Sequence, residues 1–186
     1  MPPPDPRPAH PQPRLLVTLK IWLRDLAVSA LIAAVVILFV YQPVKVEGTS
    51  MLPSLADQER IFVNKFVYRL GISPVRRGDL VVFWAPGEPN KSYIKRVIGL
   101  PGDVVAIERG VVLINGKPLR EDYVPRQFRD AQDMPTRLVE PDTYFVLGDH
   151  RNSSSDSRNW GLVPRRNIYG KAVFIYWPLE KFGPLR

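Results

Sequence analysis

The sequence predicts a mainly β fold, with a compact β-barrel-like or β-sandwich-like domain behind a single N-terminal transmembrane α-helix. Three observations predict it: an uncharged apolar run near the N-terminus, short apolar segments separated by turn residues beyond it, and a length of 186 residues. We expect a Pro-rich, disordered cytoplasmic tail over residues 1–20, an anchor helix over 21–42 and an extracytoplasmic β-rich domain over 43–186.

The anchor prediction depends on the segment from Leu26 to Tyr41, which carries no charged residue. Extended back to Ile21, this segment as a helix comes close to the roughly 30 Å of a hydrocarbon core. Trp22 and Tyr41 then lie at its two ends, where interfacial aromatic residues are typical. Pro43 helps to end the helix.

The orientation of the anchor follows from the basic residues that precede it. These are Arg7, Arg14, Lys20 and Arg24. The positive-inside rule therefore predicts a single-pass protein of the cytoplasmic (inner) membrane, with its N-terminus in the cytoplasm. A cleaved signal peptide is the alternative, but no small-x-small cleavage site follows the apolar run closely.

Beyond Pro43 the pattern changes from helical to strand-like. Seven runs rich in β-branched and aromatic residues each suit one strand: ERIFVNKF, DLVVFWAP, YIKRVIGL, DVVAIE, GVVLI, TYFVLG and KAVFIYW. Asn115 and Gly116 together are a strong hairpin-turn signal. Residues 119–141 are polar and contain two internal prolines, so we expect a loop or excursion there.

Composition excludes several kinds of site. The chain has no cysteine, so it has no disulfide, thiol nucleophile or cysteine metal site. With only His10 and His150, one chain cannot assemble a multi-histidine metal centre, and we predict neither a metal nor a cofactor. A Ser-His-Asp triad would have to use His150, whose neighbour Asp149 would point to the opposite face of an extended segment. We therefore expect a loop histidine.

Two residues carry possible chemistry, although each has an ordinary interpretation. Ser50 lies in a Gly-containing segment, where a serine is usually a turn residue. Lys95 lies in an apolar strand whose alternation puts Tyr93, Lys95 and Val97 on one face, and an edge-strand lysine is the ordinary interpretation. The functional interpretation is a desolvated lysine with a lowered pKa, whose neutral amine takes a proton from a hydroxyl.

Four segments, in this order behind an N-terminal anchor, resemble the successive conserved boxes of bacterial type I signal peptidases, the Ser/Lys peptidases of family S26. They are GTSMLPSL, RRGDLVVF, YIKRVIGLPGD and GDHRNSSSDSRNWGLVP. The resemblance spans Glu47 to Pro164. It implies a membrane-bound serine endopeptidase with a signal-peptidase-type catalytic domain, which cleaves signal peptides from translocated preproteins.

The resemblance also implies roles for particular residues. Ser50 matches the nucleophile, whose backbone N–H contributes to the oxyanion hole, and Lys95 matches the general base. Ser154 matches the serine that orients the lysine amine. Asp156 and Arg158 match a charged pair that braces the site.

The implied partners are secretory preproteins, with small residues one and three positions before the scissile bond, and the lipid bilayer. Neither nucleic acid nor metal is implied. We expect the substrate to bind as an added β-strand. The candidate substrate-binding residues are Val46, Gly48, Met51, Val81, Phe83 and Tyr93.

The chain departs from the family pattern at three positions. Gly48 stands where some members have a serine that completes the oxyanion hole, which leaves the second donor open. His150 and Ser153 each replace a usual asparagine.

Two other functions fit parts of the sequence. A self-cleaving repressor-type Ser/Lys protease shares the chemistry, but it is soluble and carries a DNA-binding module in place of an anchor. A non-catalytic, membrane-tethered β-domain could bind an anionic partner through its net charge of +8. That alternative predicts salt-sensitive binding and no peptidase activity.

Overall fold

The computed structural model describes residues 15–69, 71 and 73–185, apart from the side chains of residues 15, 16, 36–40, 69 and 89. The chain divides into two units, Met1–Phe39 and Val40–Arg186. Each unit is described by itself below.

The first unit is built on one helix, α1 (Leu15–Val40). It begins at Leu15 rather than at Ile21, so residues 15–20, which were predicted to belong to a disordered tail, are helical. Between residues 17 and 35, its large apolar side chains, including Trp22 and Leu26, are exposed. In the part of the chain that the structure describes, no helix meets the length and apolarity that a membrane crossing requires. Residues 1–14 of the predicted tail and the side chains of residues 36–40 of the predicted anchor lie outside the described residues.

The second unit consists mainly of short strands. They are β1 (Tyr41–Lys45), β2 (Arg60–Asn64), β3 (Leu80–Ala85), β4 (Glu88–Gly99), β5 (Val104–Glu108), β6 (Val111–Ile114), β7 (Lys117–Pro118), β8 (Met134–Leu138), β9 (Thr143–Leu147), β10 (Val163–Pro164), β11 (Ile168–Trp177) and β12 (Gly183–Pro184). Two one-turn helices, α2 (Phe66–Arg69) and α3 (Ser157–Trp160), connect strands, as do 3₁₀ turns at Arg126–Phe128, Arg151–Ser153, Arg165–Asn167 and Leu179–Lys181.

The described strands form two antiparallel sheets. The larger has the order β1-β2-β11-β3-β4-β9-β10, with β12 paired to β11, and the smaller has the order β7-β6-β5-β8. All seven predicted strands are present, and the mainly β prediction is confirmed. Neither strand order closes on itself, so the described strands of the predicted barrel-like or sandwich-like domain form no closed barrel.

The excursion predicted over residues 119–141 contains a strand. Asn115 and Gly116 take the positive φ angles of the predicted hairpin turn, 52° and 77°. Further on, β8 pairs with β5 and forms the edge of the smaller sheet, so the loop prediction is wrong for this segment. An edge strand tolerates Pro135, because its missing N–H need not join a ladder.

The core lies on both faces of β3. Leu80 and Val82 pack into one hydrophobic cluster, whereas Val81 and Phe83 pack into another. This alternation is the expected consequence of the two-residue repeat of a strand. It matters for the site, because Val82 lines the cavity beside the serine described next, whereas Val81 and Phe83 do not.

Candidate active site

Ser50 lies in a tight turn that follows β1. The turn begins at Gly48, whose φ of +90° suits glycine, and whose N–H donates to Asp57 Oδ1 at 2.8 Å. After Ser50, Met51 and Leu55 are buried in the core and are joined by a backbone hydrogen bond of 2.9 Å. The serine is therefore presented on a turn that is fixed at both ends.

Lys95 lies in β4, where it pairs with Val81 of β3. Its side chain is buried, with 2% of the residue exposed. The structure places Lys95 Nζ 2.5 Å from Ser50 Oγ, within hydrogen-bond distance, and 5.8 Å from the centre of the Tyr93 ring. The two residues that the sequence singled out, 45 positions apart, are thus in direct contact.

The surroundings of Lys95 disfavour its charged form. Burial lowers the pKa of the Lys95 amine to about 8, although the carboxylates of Asp156 and Asp149 act in the opposite direction. The guanidinium of Arg158 adds to the lowering. An amine with this pKa is neutral in about a tenth of the molecules at pH 7 and in about half of them at pH 8, so it can accept a proton from a hydroxyl.

The serine turn is held against the segment that follows β9. The backbone N–H of His150 donates to the carbonyl oxygen of Ser50 at 3.1 Å, and His150 Nδ1 lies 3.0 Å from the carbonyl oxygen of Thr49. Gly148 allows this approach, because a Cβ atom there would lie 2.5 Å from the Ser50 carbonyl oxygen and 2.2 Å from Ser154 Oγ. Both values are far inside van der Waals contact.

Asp156 and Arg158 brace the same segment. Asp156 is fully buried and caps α3, and its Oδ2 accepts the Gly148 N–H at 3.0 Å. Arg158 Nε donates to Asp156 Oδ1 at 2.8 Å, and Arg158 Nη1 pairs with Asp130 at 2.5 Å. The carboxylate of Asp156 therefore connects α3 to the glycine that supports the serine turn.

Ser154 does not make the hydrogen bond that the resemblance implied. Its hydroxyl is buried and, among the described residues, has no hydrogen-bond partner. The Lys95 amine is directed at Ser50 instead. Ser154 lies beside Gly148 and is therefore near the serine turn, but its role in orienting the lysine stays a prediction.

Sequence reasoning missed a second buried cluster beside the first. Arg96 donates to both carboxylate oxygens of Asp149, at 2.8 and 2.7 Å, and Ser54 Oγ donates to Asp149 Oδ2 at 2.5 Å. Arg96 and Asp149 are 3% and 0% exposed. The available signal was Arg96 itself, since an arginine in a buried strand requires a carboxylate partner.

A cavity of about 150 Å³ opens beside Ser50. Four of the predicted substrate-binding residues line it: Val46, Gly48, Met51 and Tyr93. Val81 and Phe83 do not line it, and their side chains are buried in the other core cluster. Val82 and Ile94, which pair across β3 and β4, line the cavity instead.

The backbone N–H of Ser50 is available as a hydrogen-bond donor. Within the described part of the chain it donates to no acceptor, whereas the Gly48 N–H is taken by Asp57. A Cβ atom at Gly48 would meet nothing within 4 Å, but the positive φ would strain any other residue there. The group that donates the second hydrogen bond to the oxyanion is therefore not identified by these contacts.

Comparison with known proteins places the chain among peptidases. The family model described as "Signal peptidase, peptidase S26" matches residues 19–177. A signal peptidase I of Leptolyngbya laminosa is 40% identical over 98% of this chain and 91% of its own length. A signal peptidase I P of Bacillus subtilis subsp. natto is 38% identical over 86% of this chain and 90% of its own length.

A crystal structure of a signal peptidase I from Enterococcus faecalis V583 aligns with 53% of this chain and 97% of its own, at 32% identity and a TM-score of 0.48. The family model covers most of the chain and the sequence relatives span nearly all of it. The chain therefore belongs to the signal peptidase family, peptidase S26. The members of this family are serine peptidases, so the prediction of an enzyme of this class is confirmed.

Proposed function

We propose that this chain is a membrane-anchored signal peptidase I that cleaves signal peptides from translocated preproteins, with Ser50 as the nucleophile and Lys95 as the general base. The observation that carries the proposal is the 2.5 Å contact between Ser50 Oγ and the Lys95 amine. Burial of that amine lowers its pKa to about 8, which suits a base at physiological pH.

The first half of the reaction forms an acyl-enzyme. Neutral Lys95 takes the proton from Ser50 Oγ as the oxygen attacks the scissile carbonyl carbon, which gives a tetrahedral intermediate and a lysine ammonium. The Ser50 N–H donates to the developing oxyanion. The ammonium then protonates the nitrogen of the leaving mature chain, the C–N bond breaks, and the signal peptide remains esterified to Ser50.

The second half releases the signal peptide. Lys95, neutral again, deprotonates a water molecule that attacks the ester carbonyl. When this second intermediate collapses, the bond to Ser50 Oγ breaks and the lysine ammonium returns its proton to that oxygen. The same amine thus acts twice as base and twice as acid, which requires its pKa to lie near the working pH.

The substrate binds in an extended conformation beside the serine turn. The small cavity beside Ser50, which Val46, Met51, Val82 and Ile94 help to line, supports this assignment, because a volume of about 150 Å³ suits small side chains. It accommodates the small residues one and three positions before the scissile bond. Main-chain hydrogen bonds to exposed strand edges would supply register, as in other added-strand complexes.

The proposed enzyme is a single-pass protein of the cytoplasmic membrane. Residues 1–20 form its cytoplasmic tail, residues 21–42 its anchor and residues 43–186 its extracytoplasmic catalytic domain. The uncharged run from Leu26 to Tyr41 and the basic residues before it support this topology. A nucleophile only a few residues beyond the anchor would meet the substrate where the cleavage site leaves the bilayer.

The test is cleavage of a purified preprotein by the detergent-solubilised full chain and by Ser50→Ala and Lys95→Ala. We expect both variants to lose cleavage, while Ser155→Ala and Lys117→Ala, which change exposed residues of the same types, retain it. Mass spectrometry of the products should show a single cut after a small residue. Cleavage that survives either active-site substitution would overturn the proposed pair.

A further inference from the structure

A second hollow, with a volume of about 720 Å³, lies in the second unit and shares no lining residue with the cavity beside Ser50. It lies between the start of β11, the end of β3 and the residues that follow β2. Its lining includes three cationic and three aromatic side chains: Lys65, Arg165, Arg166, Tyr68, Trp84 and Tyr169.

The charges around the hollow are unbalanced. None of its lining residues is acidic. In the described part of the chain, Lys65 and Arg166 form no ion pair, and Arg165 donates to two backbone carbonyl oxygens, those of Tyr68 at 2.8 Å and Ile168 at 3.3 Å. These carbonyls orient the guanidinium without neutralising it. Three like charges around an open concavity create a positive potential that favours an anion.

The wall of the hollow is aromatic as well as basic. Trp84 is 44% exposed, and its ring lies 5.0 Å from that of Tyr169, at an interplanar angle of 34°. A half-exposed indole beside a tyrosine is typical of the membrane interface, where one part of the ring meets apolar chains and the other meets water. A small inorganic anion would leave this apolar surface unused.

Gln42, which also lines the hollow, is close in sequence to the apolar run predicted to form the anchor. Gln42 lies in β1, directly after the uncharged run that ends at Tyr41 and two residues after the end of α1 at Val40. We propose that the hollow binds the phosphodiester headgroup of an anionic phospholipid, with Lys65, Arg165 and Arg166 at the phosphate and Trp84 at the glycerol and upper acyl region. This inference rests on the membrane location in the proposed function.

The test measures binding of soluble short-chain lipids to the full chain in a non-ionic detergent, by isothermal titration calorimetry. The probes are dihexanoyl phosphatidylglycerol, dihexanoyl phosphatidylcholine and inorganic phosphate. We expect the anionic lipid to bind most tightly. The double variant Lys65→Gln/Arg166→Gln should weaken its binding about tenfold or more, since each cation near an anionic headgroup contributes measurably.

The matched control is Lys117→Gln/Arg126→Gln, which removes the same charge from two exposed positions elsewhere in the domain. It should change the affinity for the anionic lipid by less than about twofold. Equal losses in the two double variants, equal binding of the zwitterionic lipid, or binding of phosphate as tight as that of the anionic lipid would each overturn the inference.

Cleavage in detergent separates this inference from the proposed function. Neither Lys65 nor Arg166 lines the catalytic cavity, so the double variant should cleave a preprotein at the parent rate. If the double variant keeps both the cleavage rate and the lipid affinity of the parent, the headgroup site is overturned and the proposed function is not. Lack of cleavage by the parent chain overturns the proposed function, whereas lipid binding is measured independently of it.

Discussion

Lys95 and Arg96 are consecutive, equally buried and both basic, yet their surroundings are opposite. They are 2% and 3% exposed. Arg96 contacts both oxygens of the Asp149 carboxylate, while Lys95 forms no salt bridge among the described residues and contacts the Ser50 hydroxyl. The alternation of β4 sends the two side chains to different neighbours.

Under the proposed function, this difference lets one strand supply both a structural cation, Arg96, and a base, Lys95. Burial disfavours any charge, and a carboxylate in direct contact reverses that effect. Arg96 has such a partner and is held as a cation. Lys95 has only more distant carboxylates, so desolvation dominates and lowers its pKa to about 8. The proposed base is therefore Lys95, the one of these two residues that has no carboxylate in direct contact among the described residues.

The largest expected effect comes from replacing Lys95 by a residue that is always charged or by one that has no amine. Lys95→Arg keeps a cation but cannot lose its proton, and Lys95→Ala removes the base. Both should lower kcat/KM for a preprotein by about a thousandfold or more. Steady-state kinetics measure this, and a thermal melt confirms that each variant is folded. Activity of Lys95→Arg within about tenfold of the parent would contradict the role of a neutral amine.

The second effect tests the structural cation. Asp149→Asn leaves Arg96 buried without its counter-charge, which should lower the free energy of unfolding by about 3 to 5 kcal/mol. Denaturant titration measures the change. The control is Asp122→Asn, in an exposed pair with Arg120, which should cost less than about 1 kcal/mol. Equal costs for the two substitutions would show that the Arg96 pair is not structural.

The third effect tests whether the close approach at Gly148 holds the serine turn in place. Gly148→Ala places a Cβ atom 2.5 Å from the Ser50 carbonyl oxygen, so the serine turn must move. We expect kcat to fall about a hundredfold, since displacing a reacting group by about 1 Å has effects of this size. Gly183→Ala, at an open position, is the control. An unchanged kcat would mean that the turn is not held at this point.

The smallest effect concerns His150, which contacts the Thr49 carbonyl oxygen. Asparagine can donate an amide hydrogen bond to the same oxygen, so His150→Asn should keep kcat/KM within about twofold of the parent. His150→Ala, which removes one hydrogen bond, should lower kcat/KM about fivefold. The same kinetic assay measures both. If the asparagine variant were as impaired as the alanine variant, the imidazole itself would have a chemical role.

Local sequence was enough to predict the elements whose pattern is strong. The seven apolar runs formed strands because their side chains pack on buried faces, and Asn115 and Gly116 formed the expected turn. β8 was missed because its residues are mostly exposed and its conformation comes from pairing with β5. Helix α1 began earlier than predicted, since charge does not prevent helix formation at Lys20 or Arg24.

Local sequence was less informative about which residues meet in three dimensions. It singled out Ser50 and Lys95, but their contact joins separate elements and had to be seen in the fold. It named Val81 and Phe83 for the cavity, although Val82 lines it, because alternation gives two faces without saying which residues of β3 reach the cavity. It considered Asp149 only as a partner for His150 and therefore missed Arg96.

The most direct test of the account is the pH dependence of kcat/KM for the full chain and for His150→Asn. Because the neutral amine is the active form, activity should be low at acidic pH and rise to a plateau with a midpoint at about 8 in both proteins. A profile that is flat between about pH 6 and pH 10 would contradict the role of Lys95 as the base. A midpoint at about 6.5, which is the usual pKa of histidine, would point to His150 as the base instead if it disappeared in His150→Asn.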